Sequence, residues 1–128
     1  MIVDSSALVA ILLREDGHED LIGKLSGAAV PGIAAPTLVE AGIVLSARLG
    51  RSAERLLAQF VAESGLTVVS FGDAHWRVAV DAFVRFGKGR HPAALNFGDC
   101  ISYATAKLAD APLLCTGRDF ARTDARLA

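Results

Sequence analysis

The chain has 128 residues, of which 52% are hydrophobic and 21% are charged. This length favours a single domain, and the apolar content supplies one core and is too high for a disordered chain. The 13 basic and 14 acidic residues leave a net charge of -1. Such a balance does not indicate a strongly basic nucleic-acid-binding domain, so contacts with nucleic acid would depend on local patches.

Neither a membrane segment nor a signal peptide is expected. The longest uncharged stretch, residues 25–39, contains two prolines and is too short to span a bilayer. Asp4 stands where a signal peptide has basic residues, and no cleavage site follows the first apolar run. These features predict a cytoplasmic protein, in which Cys100 and Cys115 are reduced thiols.

Short apolar runs alternate with longer segments in which apolar residues recur at helical spacing. In chain order, the predicted elements are a strand at 1–3, helices at 7–13 and 19–25, a strand at 30–35, helices at 37–49 and 52–63, a strand at 66–69, helices at 73–86 and 97–109, and a strand at 112–115. Short apolar strands separated by helices are typical of a parallel sheet covered on both sides. The predicted fold is an α/β protein, a three-layer α/β/α sandwich with a mostly parallel central sheet, built as one domain over residues 1–128.

The predicted helix at 73–86 carries large apolar residues at helical spacing, namely Trp76, Val80, Phe83 and Val84. This spacing predicts that these side chains point into the core. For the tryptophan and the phenylalanines, a dimer surface is the alternative. The segment that follows, residues 87–92, is predicted to be a loop.

Four acidic residues occur where a predicted strand gives way to a helix or turn: Asp4, Glu40, Asp99 and Asp119. Because the carboxyl ends of parallel strands share one edge of a sheet, these four side chains are expected to converge there. Glu40 is also the only charged residue between positions 24 and 48. An acid in so apolar a stretch is expected to face a pocket rather than open solvent.

Each acid also has a purely structural interpretation as a helix cap. Asp4 is placed to cap the first helix, and the last of the four acids is placed to cap a short final turn. Glu40 would reach back to Thr37 in a capping box, and Asp99 has the same relation to Asn96. Capping and a role in a site do not exclude one another.

Converging carboxylates repel one another, and a divalent cation would offset their charge. Carboxylate oxygens, with no cysteine at ligand spacing, suit a hard ion such as Mg²⁺ or Mn²⁺. Two such ions about 4 Å apart stabilise both the attacking and the leaving oxygen in phosphodiester hydrolysis. The acids therefore predict a hydrolytic metal site with one or two ions.

Four segments that contain these acids form an ordered set of motifs. They are MIVDSSA at residues 1–7, Glu40, GKGRHP at 87–92 followed by LNFGDC at 95–100, and LLCTGRDF at 113–120. This set resembles the PIN-domain nucleases, and specifically the VapC toxins of type II VapBC toxin–antitoxin systems. The resemblance covers essentially the whole chain.

The resemblance implies a PIN-like fold and an Mg²⁺- or Mn²⁺-dependent endoribonuclease that cleaves structured RNA, such as transfer or ribosomal RNA. It also implies a homodimer inhibited by a VapB-type antitoxin. Asp4 and Asp99 match the family's principal metal ligands, and Glu40 matches the acid of its second motif. Asp119 matches the fourth acid, which varies most in the family, and Asp124 is a competing candidate.

Three polar residues match groups expected beside the metal ligands rather than on the metal: Ser6, Asn96 and Thr116. The segment from 82 to 98 contains no acid and carries four cationic or titratable side chains: Arg85, Lys88, Arg90 and His91. These are candidates for contacts with RNA phosphates, and the alternative is a solvated, flexible loop.

Two other classes of function compete with a nuclease. A phosphatase of the haloacid-dehalogenase type would use Asp4 as nucleophile and needs a second Asp two residues later, where this chain has Ser6. A non-catalytic PIN-like module would act only through a protein partner, and the retention of all four acids argues against it.

Overall fold

The computed structural model describes residues 1–128 and contains one sheet of four short parallel strands. The strands are β1 (Ile2–Val3), β2 (Gly32–Ala34), β3 (Thr67–Val69) and β4 (Leu113–Leu114). The helices are α1 (Ser5–Leu12), α2 (His18–Ser26), α3 (Ala35–Leu49), α4 (Glu54–Ser64), α5 (Asp73–Phe86) and α6 (Phe97–Leu108), followed by a 3-10 turn (Phe120–Arg122). In the sheet the strands are ordered β3-β2-β1-β4.

Every predicted strand and helix is present, and the α/β fold class is confirmed. The helix predicted over 73–86 has those bounds in the structure, whereas the other bounds differ by a few residues. Residues 121–128, for which no element was predicted, hold most of the 3-10 turn and a parallel bridge between Leu127 and Leu113 of β4. This bridge extends the sheet beyond β4.

Two apolar clusters occupy the two faces of the sheet. Val3 and Leu114 contribute to one cluster, which is formed with α1, α2, α3 and α4. Ile2 and Leu113 contribute to the other, which is formed with α5, α6 and the 3-10 turn. Because neighbouring residues of a strand point to opposite faces, two-residue strands are enough to divide the core into the layers of an α/β/α sandwich.

The outer face of α5 contradicts its predicted burial. Trp76, Val80, Phe83 and Val84 are each between 41% and 55% exposed, and Ala82 is the one buried residue of this helix. The helix packs on α6 through smaller side chains, among them Ala79 and Ala82, so its large apolar residues remain at the surface. No helix of the fold has both the length and the apolar character needed to cross a bilayer.

Candidate active site

Asp4 follows β1 directly and is buried, with only 3% of its surface exposed. Its Oδ2 accepts hydrogen bonds from the Ser6 backbone N–H at 3.0 Å and from the Ser6 hydroxyl at 2.6 Å. Its Oδ1 accepts from the Ser102 hydroxyl at 2.6 Å. The predicted capping role at the start of α1 is therefore confirmed, and the same side chain lies at the carboxyl edge of the sheet.

Asp99 lies in the first turn of α6 and forms the predicted capping box with Asn96. The Asn96 N–H donates to the Asp99 carboxylate at 3.0 Å, and the Asp99 N–H donates to the Asn96 side chain at 2.9 Å. Burial raises the pKa of Asp99 to about 6, against the opposing effect of the Asn96 hydrogen bond. The charges of Asp4, Asp119 and Glu40 raise it further.

Glu40 reaches the site from the second turn of α3, because this helix begins at Ala35. This position excludes the capping box with Thr37, since that residue already lies inside the helix. The Glu40 carboxylate instead accepts a hydrogen bond from the Ser5 hydroxyl. It also rests against Gly98 of α6, where an added Cβ would lie 2.7 Å from Glu40 Cδ. A side chain at position 98 would therefore displace this carboxylate from its present position.

Asp119 follows β4 and precedes the 3-10 turn, but its side chain makes no capping hydrogen bond. Its charge acts on Asp99, whereas Asp124 lies elsewhere. The Asp124 carboxylate accepts from the Tyr103 hydroxyl at 2.6 Å and from Lys107 Nζ at 3.1 Å, along the second half of α6. Of the two candidates for the fourth acid, Asp119 is the one whose charge acts on Asp99, whereas Asp124 is engaged by Tyr103 and Lys107.

The three polar residues predicted to support the acids do so in different ways. Asn96 holds Asp99, as described above, and Ser6 donates to Asp4. Thr116 contributes its backbone, since its N–H donates to the Ser6 hydroxyl oxygen at 3.1 Å. This relay ties the segment after β4 to the carboxylate that follows β1.

Sequence reasoning missed Ser5 and Ser102, which hold Glu40 and Asp4 respectively. Ser5 was not distinguished from its neighbour Ser6 in the opening motif. Ser102 lies one helical turn after Asp99 on a helix whose other inward residues are mostly apolar. A buried serine three residues after a candidate ligand was the available signal, because residues at that spacing share a helix face.

The donor set suits a hard divalent ion, although no three acidic, histidine or cysteine side chains converge closely enough to enclose one. Asp4, Glu40 and Asp99 each accept hydrogen bonds from nearby hydroxyl or N–H groups instead. Mg²⁺ is usually held by one or two carboxylates and keeps several waters, so a closed cage is not required. Burial is the main cause of the raised pKa of Asp99, and the neighbouring negative charges that add to it are what a bound cation would offset.

The two cysteines are free: Cys100 lies in α6, and Cys115 directly follows β4. Burial, followed by the charges of Asp4, Asp99 and Asp119, raises the pKa of Cys115 to about 11. Burial and the charge of Asp99 raise the pKa of Cys100 to about 11. Both thiols are therefore protonated at neutral pH in the metal-free protein.

The four candidate RNA contacts differ in their surroundings. Lys88 and Arg90 are exposed and make no ion pair. Arg85 instead pairs with Asp124 at 3.5 Å and also lies near a second acid on its own helix. His91 is half-buried, and its Nδ1 accepts a backbone hydrogen bond at 3.1 Å. Lys88 and Arg90 thus have no ion pair that would compete with a phosphate, and the Arg90 guanidinium lies 5.8 Å from the centre of the Phe83 ring.

A largely apolar surface borders the acids, and we call it the apolar face. It comprises exposed residues of α3 and α5 together with the first residue of α6: Val39, Ile43, Trp76, Val80, Phe83 and Phe97. Phe97 is 82% exposed and lines two neighbouring grooves of about 640 and 480 Å³. The larger groove includes Glu40 and Gly98 in its wall, so the apolar face is continuous with the acidic site.

Comparison with known proteins gives consistent results. Residues 1–126 match the family model of the PIN domain. Ribonuclease VapC36 of Mycobacterium tuberculosis is 50% identical over 125 residues, which are 97% of this chain and 90% of that protein. Ribonuclease VapC of Mycolicibacterium smegmatis is 39% identical over 124 residues, which are 97% of this chain and 96% of that protein.

Solved structures share the fold at lower sequence identity. Mycobacterium tuberculosis VapC20, described as a Sarcin-Ricin loop cleaving toxin, has a TM-score of 0.80 and 18% identity, covering 99% of this chain and 97% of its own. A toxin-antitoxin complex from Klebsiella pneumoniae has a TM-score of 0.72 and 17% identity, covering 99% and 95%.

Proposed function

Since this chain belongs to the PIN domain family, and within it to the VapC ribonucleases, we propose that it is a cytoplasmic toxin endoribonuclease that uses Mg²⁺ or Mn²⁺. One observation carries the metal dependence. Acids from separate parts of the chain lie towards one edge of the sheet, and burial, together with the charges of Asp4, Asp119 and Glu40, raises the pKa of Asp99 to about 6. Such a cluster is costly to the fold and is typical of a functional site.

Asp4 and Asp99 are the proposed ligands of the first ion, and Asp119 is the proposed ligand of a second. A bound divalent ion lowers the pKa of a coordinated water and stabilises negative charge on the phosphoryl oxygens. Glu40, fixed by the Ser5 hydroxyl, orients the attacking water. The reaction is hydrolysis of a phosphodiester bond, with water entering opposite the leaving oxygen.

The proposed substrate is structured RNA, such as transfer or ribosomal RNA. Lys88 and Arg90 are the proposed phosphate contacts, because they are exposed, unpaired and shortly precede Asp99 in the chain. Arg85 and His91 are proposed as further phosphate contacts, which RNA would reach in competition with the Asp124 ion pair of Arg85 and beside the backbone hydrogen bond of His91 Nδ1. The ribosomal loop cleaved by VapC20 is one member of this substrate class.

Two protein partners are proposed. The first is a second copy of the chain, docked through the apolar face, because monomeric proteins rarely expose a continuous apolar patch of this kind. The second is a VapB-type antitoxin, by analogy with the toxin-antitoxin complex that shares the fold. Because the apolar face is continuous with the acidic site, a partner that covers both would also block access of RNA.

The direct test is cleavage of total RNA by purified, antitoxin-free protein with Mn²⁺. We expect discrete new RNA ends with the wild type, and none with EDTA or with Asp4→Asn or Asp99→Asn. Asp110→Asn is the matched control, because that exposed carboxylate pairs with Arg126 away from the site. A folded wild type that binds a partner protein but cuts no RNA with Mn²⁺ would favour the non-catalytic binding module.

A further inference from the structure

Ser102 lies in the middle of α6, and its side chain is completely buried. Its hydroxyl donates to Asp4 Oδ1 at 2.6 Å, across to the segment that follows β1. A short bond from a hydroxyl to a carboxylate is charge-assisted and stronger than a bond between neutral groups. Outside the opening motif, Ser102 is the one side chain that holds this acid.

The partner of this hydroxyl is unusual for a serine inside a helix. A helical Ser or Thr commonly donates to the carbonyl one turn earlier. Thr105 does so in the same helix, donating to the Ile101 carbonyl at 2.8 Å, and Ser64 does so in α4 at 2.6 Å. Ser102 directs its single proton to the carboxylate instead.

This bond links two acids of the site. Ser102 and Asp99 are three residues apart and share one face of α6, so the bond ties Asp4 to the helix that carries Asp99. The other oxygen of Asp4 is held by Ser6, which in turn accepts from the backbone of Thr116. The carboxylate is thus restrained at both oxygens, and its rotation would break bonds on either side.

We propose that Ser102 is a positioning residue that fixes the Asp4 carboxylate relative to Asp99 for binding of the divalent ion. The inference rests on the proposed function and adds a residue to it. Donors beside metal ligands orient those ligands and tune their affinity for the ion. A merely structural hydroxyl would affect the free energy of unfolding and leave metal affinity unchanged.

The test compares Ser102→Ala with Thr105→Val, which removes a similarly buried hydroxyl from the same helix without touching an acid. Mn²⁺ affinity is measured calorimetrically on the antitoxin-free protein, and thermal unfolding of the metal-free protein is measured in parallel. We expect Ser102→Ala to weaken Mn²⁺ binding by about 10- to 100-fold, and Thr105→Val to bind as the wild type does. With RNA, kcat should fall in Ser102→Ala while KM changes little.

Ser102→Cys is the second variant, because it nearly preserves the volume and replaces a strong donor with a weak one. Ser102→Cys should also weaken Mn²⁺ binding, and it provides the test if the alanine variant folds poorly. Wild-type affinity in a folded Ser102→Ala or Ser102→Cys protein would overturn the role of Ser102. Absence of Mn²⁺ binding by the wild type would instead overturn the proposed function.

Discussion

At the scale of single residues, Asp99 is the acid whose charged form is destabilised by its surroundings in the folded protein. Burial and three neighbouring acids raise its pKa from 3.8 to about 6. A raised pKa means that Asp99 contributes stability below pH 3.8 and that this contribution is lost as the pH rises through about 6. At pH 7 the ionised carboxylate therefore destabilises the metal-free protein, by on the order of 1 to 2 kcal/mol given its partial exposure.

We accordingly expect Asp99→Asn to raise the Tm of the metal-free protein at pH 7 and to have little effect near pH 4. The amide can still accept the Asn96 hydrogen bond, so capping of α6 is retained. Thermal unfolding in EDTA from pH 4 to pH 7 measures the difference, and added Mn²⁺ should raise the Tm of the wild type alone. An equal Tm for the wild type and Asp99→Asn at every pH would show that the ionised carboxylate does not destabilise the metal-free protein.

Asp124 shows the opposite behaviour and separates the two candidates for the fourth acid. The hydrogen bond from Tyr103, followed by Lys107, lowers the pKa of Asp124 to about 2. Its stabilising effect is therefore present above pH 3.8 and lost as the pH falls through about 2. Asp124→Asn should lower the stability at pH 7 by about 1 kcal/mol or less, because the group is largely exposed.

The asparagine variants of the two candidates, Asp119→Asn and Asp124→Asn, should differ in activity. Asp124→Asn is expected to leave RNA cleavage unchanged, whereas Asp119→Asn is expected to reduce it with little change in Tm. Initial cleavage rates and urea unfolding, measured on both variants, provide the comparison. Loss of cleavage in Asp124→Asn with an intact fold would exchange the roles of the two residues.

At the scale of elements, the contact between α3 and α6 depends on a glycine. Replacing a helical Gly by Ala usually stabilises a protein by about 0.5–1 kcal/mol. Gly23 of α2 has no neighbour within 4 Å of an added Cβ, so Gly23→Ala should show this gain. At Gly98 the added Cβ overlaps the Glu40 carboxylate, so Gly98→Ala should displace that side chain.

We expect Gly98→Ala to remain folded, to lose at least tenfold in kcat, and to lack the stabilisation seen in Gly23→Ala. Circular dichroism and single-turnover cleavage measure the two effects. Wild-type activity in Gly98→Ala would mean that Glu40 can leave α6 without consequence for the reaction.

Local sequence patterns predicted which segments form helices and strands, but they predicted less well which side chains are buried and where the helices begin. Helical spacing of apolar residues correctly predicted that α5 is a helix. The same spacing occurs whether the apolar side chains pack into the protein core or remain at the surface, so it could not predict that Trp76 and Val80 are exposed. Similarly, Thr37 and Glu40 have the spacing of a capping box. The structure differs because Ala35 and Pro36 already belong to α3.

At the scale of the whole molecule, the parallel topology is what made a candidate site predictable. Acids that follow parallel strands are expected at one edge of the sheet, and this expectation selected Asp4, Glu40 and Asp119 without any local signal that links them. The spacing of Ser102 from Asp99 was visible in the sequence, but the partners of Ser5 and Ser102 were not predictable, since their bonds join segments 35 and 98 residues apart. Such contacts follow from how helices pack on the sheet, which local patterns do not specify.

The apolar face belongs to this scale as well, because it combines residues of three helices. If two copies dock through it, a charge at its centre should separate them, since an unpaired charge buried in an interface is costly. Val80 is 55% exposed and lies within this face, so we expect Val80→Glu to convert a dimer into a monomer without loss of helix content. Ala74→Glu, at an exposed position of α5 outside the apolar face, should remain dimeric. Light scattering and the dependence of Tm on protein concentration measure the change, and a monomeric wild type at micromolar concentration would contradict this docking mode.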